Sequence, residues 1–210
     1  MKVLAVCGAA NKNRNTATMI KSAFEGAISV PGATGEMVFL YDLAYRGCIG
    51  CHTCKLLAQN RPPGCRLRDE LTPVLEQALA ADVLLLGSPI YFGDVTGALR
   101  SFLERLLFPG VNYDQERTLA YPKRVKVGWV FTMNAPGEIY KDFFAGLVGL
   151  TDRIIGASEY VMAFHTKQFE DYTKYKSGMF DAAMIQKRHL EQFPLDCQAA
   201  AEMGKRLAGA

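Results

Sequence analysis

The chain has 210 residues, of which 50% are hydrophobic and 21% charged, a balance typical of a globular protein with a sizeable core. Its formal net charge is +3 and its basic residues are dispersed, so the composition gives no indication of a nucleic-acid-binding surface. The apolar run at the start of the chain stops at Cys7, at the bottom of the usual length range of a secretory signal, and the polar residues 11–14 follow at once. No window approaches the ~18 apolar residues of a membrane span. We therefore expect a cytoplasmic protein with reduced thiols and no membrane partner.

Short apolar runs alternate with segments of helical periodicity, which predicts βαβ units around a parallel sheet. We predict strands over residues 2–7, 36–41, 82–87, 125–131 and 159–164. We predict helices over residues 15–28, 69–80 with acidic residues in its first turn, 95–107 and 139–150, and a helical tail over 180–207 broken near Pro194. The pattern favours the α/β class, as a flavodoxin-like doubly wound five-stranded parallel sheet with helices on both faces, in a single domain over residues 1–210. A ligand is then expected at the carboxyl ends of the strands, at the switch point of the sheet.

The segment after the first predicted strand, residues 8–16, is rich in small and amide side chains and leads into a helix. Such a loop lets backbone N–H groups point inward, and the positive end of the helix attracts a phosphate. We expect Asn15 or Thr16 to cap the helix, and an ordinary capped turn without a ligand remains an alternative. The P-loop motif and the G-x-G-x-x-G motif are both missing, which disfavours a P-loop nucleotidase and a dinucleotide-binding fold.

The segment after the third predicted strand carries adjacent aromatic residues, Tyr91 and Phe92, between Pro89 and Gly93. Pro89 stiffens the turn, and Gly93 allows a close approach of the backbone. The two rings offer a flat apolar wall suited to the edge of a flavin, although they could instead cap the core. Adjacent side chains at the end of a strand cannot both point inward, so we expect at least one ring to face the cleft.

The run 88–97, Ser-Pro-Ile-Tyr-Phe-Gly-Asp-Val-Thr-Gly, resembles the second flavin loop of the NADPH-dependent FMN reductase superfamily. The first loop is similar to the Gly-Ser-Pro-Arg-Lys-Asn-Gly-Asn-Thr pattern of that family at positions 8, 12, 13, 15 and 16. It departs where Ala9 replaces a phosphate-binding serine, Asn11 an arginine and Arg14 a glycine. Lys12 or Arg14 could supply the lost positive charge. The tail resembles the family at positions 168–175 and 191–197.

The resemblance implies an FMN-dependent NAD(P)H oxidoreductase that reduces a small acceptor such as a flavin or a quinone. It implies FMN contacts at Ala9, Asn11, Asn13, Asn15, Thr16, Pro89, Ile90, Tyr91, Phe92, Gly93, Thr132 and Asn134. The last two belong to a third loop, residues 132–136, which topology places to close over the flavin. No catalytic residue is expected, because hydride transfer belongs to the cofactor, and no charge pattern selects NADH over NADPH. The resemblance also implies a homodimer or homotetramer, with interfaces near the cysteine segment and near the aromatic-rich excursion at residues 165–177. This excursion and the helical tail together make up residues 165–210.

Four of the six cysteines fall within eighteen residues, at Cys48, Cys51, Cys54 and Cys65, in an insert that we place at residues 46–66. The resemblance to the iron–sulfur flavoprotein branch implies that these four thiols bind a [4Fe-4S] cluster, which would make the protein an electron carrier to a small-molecule or protein acceptor. The spacing to Cys65 is longer than is usual in that branch, and the turn-forming residues 60–64 would have to fold it back. A zinc site and free or disulfide-forming thiols remain open, as does a flavodoxin-fold binding module without enzymatic activity. Cys7 and Cys197 are expected to be structural.

Overall fold

The computed structural model describes residues 1–56, 62–116 and 118–209, and these ranges form one twisted sheet with helices on both faces. The strands are β1 (Lys2–Cys7), β2 (Thr34–Phe39), β3 (Val83–Tyr91), β4 (Asp94–Val95), β5 (Lys126–Thr132) and β6 (Ser158–Ala163). The α-helices are α1 (Asn15–Ile28), α2 (Leu71–Ala80), α3 (Gly97–Leu107), α4 (Lys141–Ile154), α5 (Ala182–Glu191) and α6 (Phe193–Gly209). Among the described residues, no helix has both the length and the apolar character that crossing a bilayer requires.

Five strands are parallel, in the order β2-β1-β3-β5-β6, and the short β4 pairs antiparallel with β3. The predicted doubly wound fold with five parallel strands is therefore confirmed, and β4 is an addition to it. Connections from β1 run to β2 on one side and those from β3 run to β5 on the other, so the strand order reverses between β1 and β3. The loops that leave the carboxyl ends of these two strands separate there, and this is the position at which such folds bind ligands.

The sheet divides the core into two layers. Alternate residues of β1 point to opposite faces, so that Leu4 and Val6 pack with α2, α3 and α4, whereas Val3 and Ala5 pack with α1 and α6. The central part of β3 is buried on both faces, as its continuous apolar sequence predicts.

The first predicted strand and the first predicted helix have the observed bounds. The second strand lies two residues earlier than predicted. The predicted helix over 69–80 begins only at Leu71, because the Asp69 carboxylate accepts a hydrogen bond from the backbone N–H of Leu71 at 3.1 Å. The expectation of acidic residues in the first turn of that helix was wrong, since Asp69 and Glu70 precede it.

Other boundaries moved for identifiable reasons. The predicted helix over 95–107 begins at Gly97, because Thr96 is its N-cap and accepts a hydrogen bond from the Leu99 amide, while residues 94–95 form β4. The predicted helix over 139–150 is a 3₁₀ turn followed by α4, which extends to Ile154. The tail forms two helices, and Pro194 lies in the first turn of α6, where its missing N–H is tolerated.

Candidate functional site

A cavity of about 360 Å³ opens at the carboxyl ends of β1, β3 and β5. We call it the main cavity. It is lined by Ala9, Ala10, Asn11, Arg14, Asn15, Thr16, Pro89, Ile90, Tyr91, Thr132, Met133, Asn134, Thr166, Lys167 and Gln168. Three loops that the sequence indicated therefore meet at one place, and a fourth segment, residues 166–168, joins them.

The loop after β1 is held close to β3. The Gly8 amide donates to the Gly87 carbonyl at 2.8 Å, and the Thr96 hydroxyl donates to the Gly8 carbonyl at 2.7 Å. A Cβ atom at Gly8 would lie 2.8 Å from Cβ of Leu99, so this close approach requires glycine. The contacts fix the direction in which the loop enters α1.

The amino end of α1 has no side-chain cap, because Arg14 occupies the N-cap position without capping hydrogen bonds. The prediction that Asn15 or Thr16 caps this helix was wrong. The side-chain amide of Asn15 instead donates to the Lys167 carbonyl at 2.8 Å, and the buried Thr16 hydroxyl is hydrogen-bonded to the Thr132 hydroxyl at 2.7 Å. The first N–H groups of a helix have no intrahelical acceptor, so an uncapped amino end beside a cavity is suited to binding an anion.

The loop after β3 is a two-residue hairpin turn. Phe92 and Gly93 both have positive φ, 51° and 79°, and β4 folds back so that Tyr91 pairs with Asp94. Positive φ at both central residues is typical of a type I′ turn, in which a bulky first residue is unusual. Tyr91 lines the main cavity, whereas Phe92 is fully exposed at the tip of the turn. Of the two rings, Tyr91 is the one that faces the cleft.

The third wall is formed by residues 132–134 and is joined to the fourth segment. The side-chain amide of Asn134 donates to the Thr166 carbonyl at 3.0 Å, and the backbone N–H of Thr166 donates to the Met133 carbonyl at 3.0 Å. The backbone of residues 166–168 is therefore held against β5 and, through Asn15, against α1.

Nine of the twelve proposed cofactor contacts line the main cavity, namely Ala9, Asn11, Asn15, Thr16, Pro89, Ile90, Tyr91, Thr132 and Asn134. Asn13, Phe92 and Gly93 do not line it; the Asn13 amide donates to the Asn11 side chain at 2.9 Å. Sequence reasoning missed Ala10, Met133, Thr166, Lys167 and Gln168. The last three follow no local motif, since they reach the site from more than 150 residues along the chain from Asn15.

The four clustered cysteines line a second, much smaller cavity of about 10 Å³, together with Arg105 and Phe108. We call it the thiol cavity, and it shares no lining residue with the main cavity. All six cysteines of the chain are free thiols in this structure. In the parts of the chain that the structure describes, no three His, Cys, Asp or Glu side chains are placed to hold one metal ion.

Four thiols around one cavity match the donor set of a [4Fe-4S] cluster, so the residues present fit such a group by their chemistry. The space between them corresponds to about one water molecule, so a cluster would require the loop to open. Burial raises the pKa of Cys54, partly offset by Lys55, whereas hydrogen bonds from Thr53 lower the pKa of the exposed Cys51. Of the turn-forming residues 60–64, Asn60 and Arg61 lie outside the described residues.

Arg105, a buried residue of α3, holds both ends of the cysteine segment. Its guanidinium donates to the Arg46 carbonyl at 3.0 Å, the Leu67 carbonyl at 2.9 Å and the Asp69 carboxylate at 2.5 Å. Burial alone would raise the pKa of Asp69, but the hydrogen bond and the charge of Arg105, together with hydrogen bonds from the Arg46 and Leu71 backbone, outweigh it and hold that pKa below its ordinary value. Nε of Arg105 has no hydrogen-bond partner among the described residues.

Lys55, next to Cys54, is held by residues at the end of α3 and just after it. Its ammonium group donates to the carbonyls of Phe108 and Val111 and lies 4.4 Å from the centre of the Phe108 ring. Burial lowers the pKa of Lys55. These contacts anchor the third cysteine of the segment to the end of α3.

A family model described as NADPH-dependent FMN reductase matches residues 1–122. An iron–sulfur flavoprotein of Methanocaldococcus jannaschii is 32% identical over 105 residues, which are 50% of this chain and 51% of that protein. An FMN-dependent NADH:quinone oxidoreductase of Nocardia farcinica is 30% identical over 94 residues, 41% of this chain and 42% of that protein. The chain thus spans about half the length of the curated relatives it matches.

The crystal structure of an azoreductase from Bacillus anthracis superposes with a TM-score of 0.68 at 15% identity, covering 98% of this chain and 99% of that one. At this identity the likeness shows a shared fold.

Proposed function

The chain belongs to the NADPH-dependent FMN reductase family, and we propose that it is an FMN-dependent NAD(P)H oxidoreductase that passes reducing equivalents from a nicotinamide to a small acceptor such as a flavin or a quinone. The observation that supports this most directly is the main cavity, at the switch point of the sheet and lined by the loops that follow β1, β3 and β5.

The main cavity fits FMN by size and by chemistry. Its volume of about 360 Å³ lies in the range of small-molecule sites, and its two ends differ in polarity. The uncapped amino end of α1, with Asn15, is suited to the phosphate. Pro89, Ile90 and Tyr91 form an apolar wall suited to the ring system.

FMN, when bound, supplies the hydride and electron transfer. The chain's own residues bind, orient and shield it. The hydrogen bond between the Thr16 and Thr132 hydroxyls ties α1 to β5 beneath the cavity, so that the phosphate end and the third loop keep a fixed separation. We propose the nine lining residues named above as direct contacts, and Asn13, Phe92 and Gly93 as neighbours that shape the two loops.

The same proposal covers the whole chain. We propose that residues 1–210 form one FMN-binding domain that assembles as a homodimer or homotetramer, which light scattering would measure. A cytoplasmic location belongs to it as well, because a reducing compartment would keep the loop thiols reduced.

The visible spectrum of the purified full chain tests the proposal. We expect it to bind one FMN, to lose the flavin absorbance on anaerobic addition of NADH or NADPH, and to regain it when a quinone is added. Tyr91→Ala should weaken FMN binding roughly 2- to 10-fold, the value of an aromatic contact, whereas Tyr41→Ala, an exposed tyrosine outside the cavity, should leave it unchanged. A chain that stays colourless after incubation with FMN would refute the proposal.

The thiol cavity favours a second candidate, an electron carrier that holds an iron–sulfur cluster as well as FMN. Iron and sulfide would be assayed on protein prepared without oxygen. If the four thiols hold a cluster, Cys51→Ser should lower the iron and sulfide content, whereas Cys197→Ser, a thiol on α6 outside this cavity, should not. Reduction of the flavin by a ferredoxin-like protein but not by NAD(P)H would favour the carrier. A binding module without activity would show neither colour nor turnover.

A further inference from the structure

Lys167 lies in the segment that crosses the amino end of α1, and its side chain is only 15% exposed. Its carbonyl accepts the hydrogen bond from Asn15, while the preceding residue, Thr166, is bound to Met133. Lys167 also lines the main cavity. The backbone on both sides of this lysine is therefore held in place beside the amino end of α1.

Arg14 is the second cation that lines the main cavity, and both cations share one partner. Glu170 lies 3.0 Å from Nζ of Lys167 and 2.5 Å from the Arg14 guanidinium, but its own side chain is 70% exposed and does not line the cavity. Exposed ion pairs of this kind contribute little to stability. One carboxylate cannot neutralise two cations, so a positive charge remains. An anion bound in the cavity could pair with it.

Between β1 and Arg14, no positively charged side chain of the loop lines the main cavity. Ala9 and Asn11 carry no charge, and the ammonium group of Lys12 is bound to Asp42 at 2.6 Å outside the cavity. A phosphate monoester carries a charge of about −1.5 to −2 at neutral pH. The helix end alone offers partial charge, so charge balance requires cations from elsewhere in the chain.

We propose that Lys167, supported by Arg14, is the cationic contact for the phosphate of FMN and so determines selection of FMN over riboflavin. The inference rests on the proposed function and adds to it a specificity-determining residue from outside the two flavin loops. Glu170 holds both cations in position and competes with the phosphate for them.

The test compares FMN with riboflavin, which has the same ring but no phosphate. In Lys167→Gln we expect the Kd for FMN to rise about tenfold or more, as expected for loss of a charge-assisted hydrogen bond, while the Kd for riboflavin changes less than about twofold. Lys167→Arg should retain most of the selectivity. The matched control is Lys174→Gln, a 74% exposed lysine of the same excursion that does not line the cavity, which should bind both flavins as the unmodified chain does.

Two further measurements keep the outcome decisive. Glu170→Gln should tighten FMN binding and leave riboflavin binding unchanged, because it frees both cations. In the unmodified chain, added salt should weaken FMN binding more than riboflavin binding. Equal weakening of both flavins in Lys167→Gln, or no change in either, would overturn the role of Lys167 while the proposed function stands. An unmodified chain that binds neither flavin would overturn both.

Discussion

Gly204→Ala is expected to destabilise the protein, because α6 packs against α1 through glycines. A Cβ atom at position 204 would lie 1.9 Å from the carbonyl oxygen of Ala23, and a Cβ atom at Gly26 would lie 2.0 Å from the carbonyl oxygen of Ala201. Both neighbours are backbone atoms, so no change of rotamer can relieve the overlap. The two helices would have to move apart.

The magnitude follows from the distances. Ordinary Cβ contacts begin at 3.4 Å, and 3.4 minus 1.9 gives a separation of 1.5 Å that α6 would have to gain. Overpacking of this kind costs about 1–3 kcal/mol, and alanine returns about 0.5–1 kcal/mol through its higher helix propensity. Because the overlap is 1.5 Å and the neighbour is a backbone atom, we take the upper end of that cost and expect a net loss of about 2 kcal/mol. Because the amino end of α1 borders the main cavity, the variant should also bind FMN more weakly.

Urea unfolding followed by fluorescence would measure the effect, since Trp129 is the only tryptophan of the sequence and is buried against Phe131 at 5.2 Å between ring centres. The matched control is Gly149→Ala on the exposed side of α4, where an added Cβ meets nothing within 4 Å. It should stabilise the protein by about 0.5–1 kcal/mol. A Gly204→Ala variant as stable as the unmodified chain, or an equal loss in both variants, would refute this reasoning.

Three further outcomes are expected. Arg105→Met should lower the free energy of unfolding in urea by about 3 kcal/mol, because it leaves the Asp69 carboxylate without its buried partner; an unchanged midpoint would contradict the role of that pair. Asp82 has its pKa held below the ordinary value of 3.8 by a hydrogen bond from Lys123, so its stabilising effect is complete at neutral pH and is lost as the pH falls through the folded-state pKa. In Asp82→Asn, the free energy of unfolding should therefore fall less steeply as the pH is lowered. The same dependence on acidic pH in both proteins would argue against this role of Asp82. Finally, FMN at a concentration one hundred times its Kd should raise the free energy of unfolding by about 2.7 kcal/mol, and removal of FMN should reverse this gain. A melting temperature that does not change when FMN is added would count against the main cavity as the FMN site.

The local sequence predicted the bounds of those elements whose apolar pattern does not depend on pairing with distant residues. The apolar run of β1 and the helical periodicity of α1 gave their observed bounds. The predicted end of the third strand at residue 87 was too early, because β3 continues to Tyr91 by pairing with β5 and β4 after it has left β1. Pro89 within this stretch indicated a loop, yet the proline is tolerated at the margin of the sheet, where β1 no longer pairs with the strand.

The candidate site was predictable to the extent that it is built from loops. Small and amide residues after β1 and the aromatic run after β3 indicate a cleft by their own chemistry. Lys167 could not be found in this way, because only the fold brings it beside Asn15. The burial of Arg105 was equally hidden, since its partners Arg46 and Leu67 lie more than 35 residues before it in the sequence.

The position of Arg105 has a consequence for how the cysteine segment can vary. One guanidinium holds the chain at Arg46 and again at Leu67, and between these two ends the Cys48 amide and the Lys55 ammonium group are bound to α3 and the residues that follow it. Doubling the length of a loop whose ends are already held costs only about 0.6 kcal/mol of closure entropy. We therefore expect changes of length between Lys55 and Leu67, and with them a new spacing to Cys65, to cost the rest of the fold little, because both of these points are held independently of the chain between them.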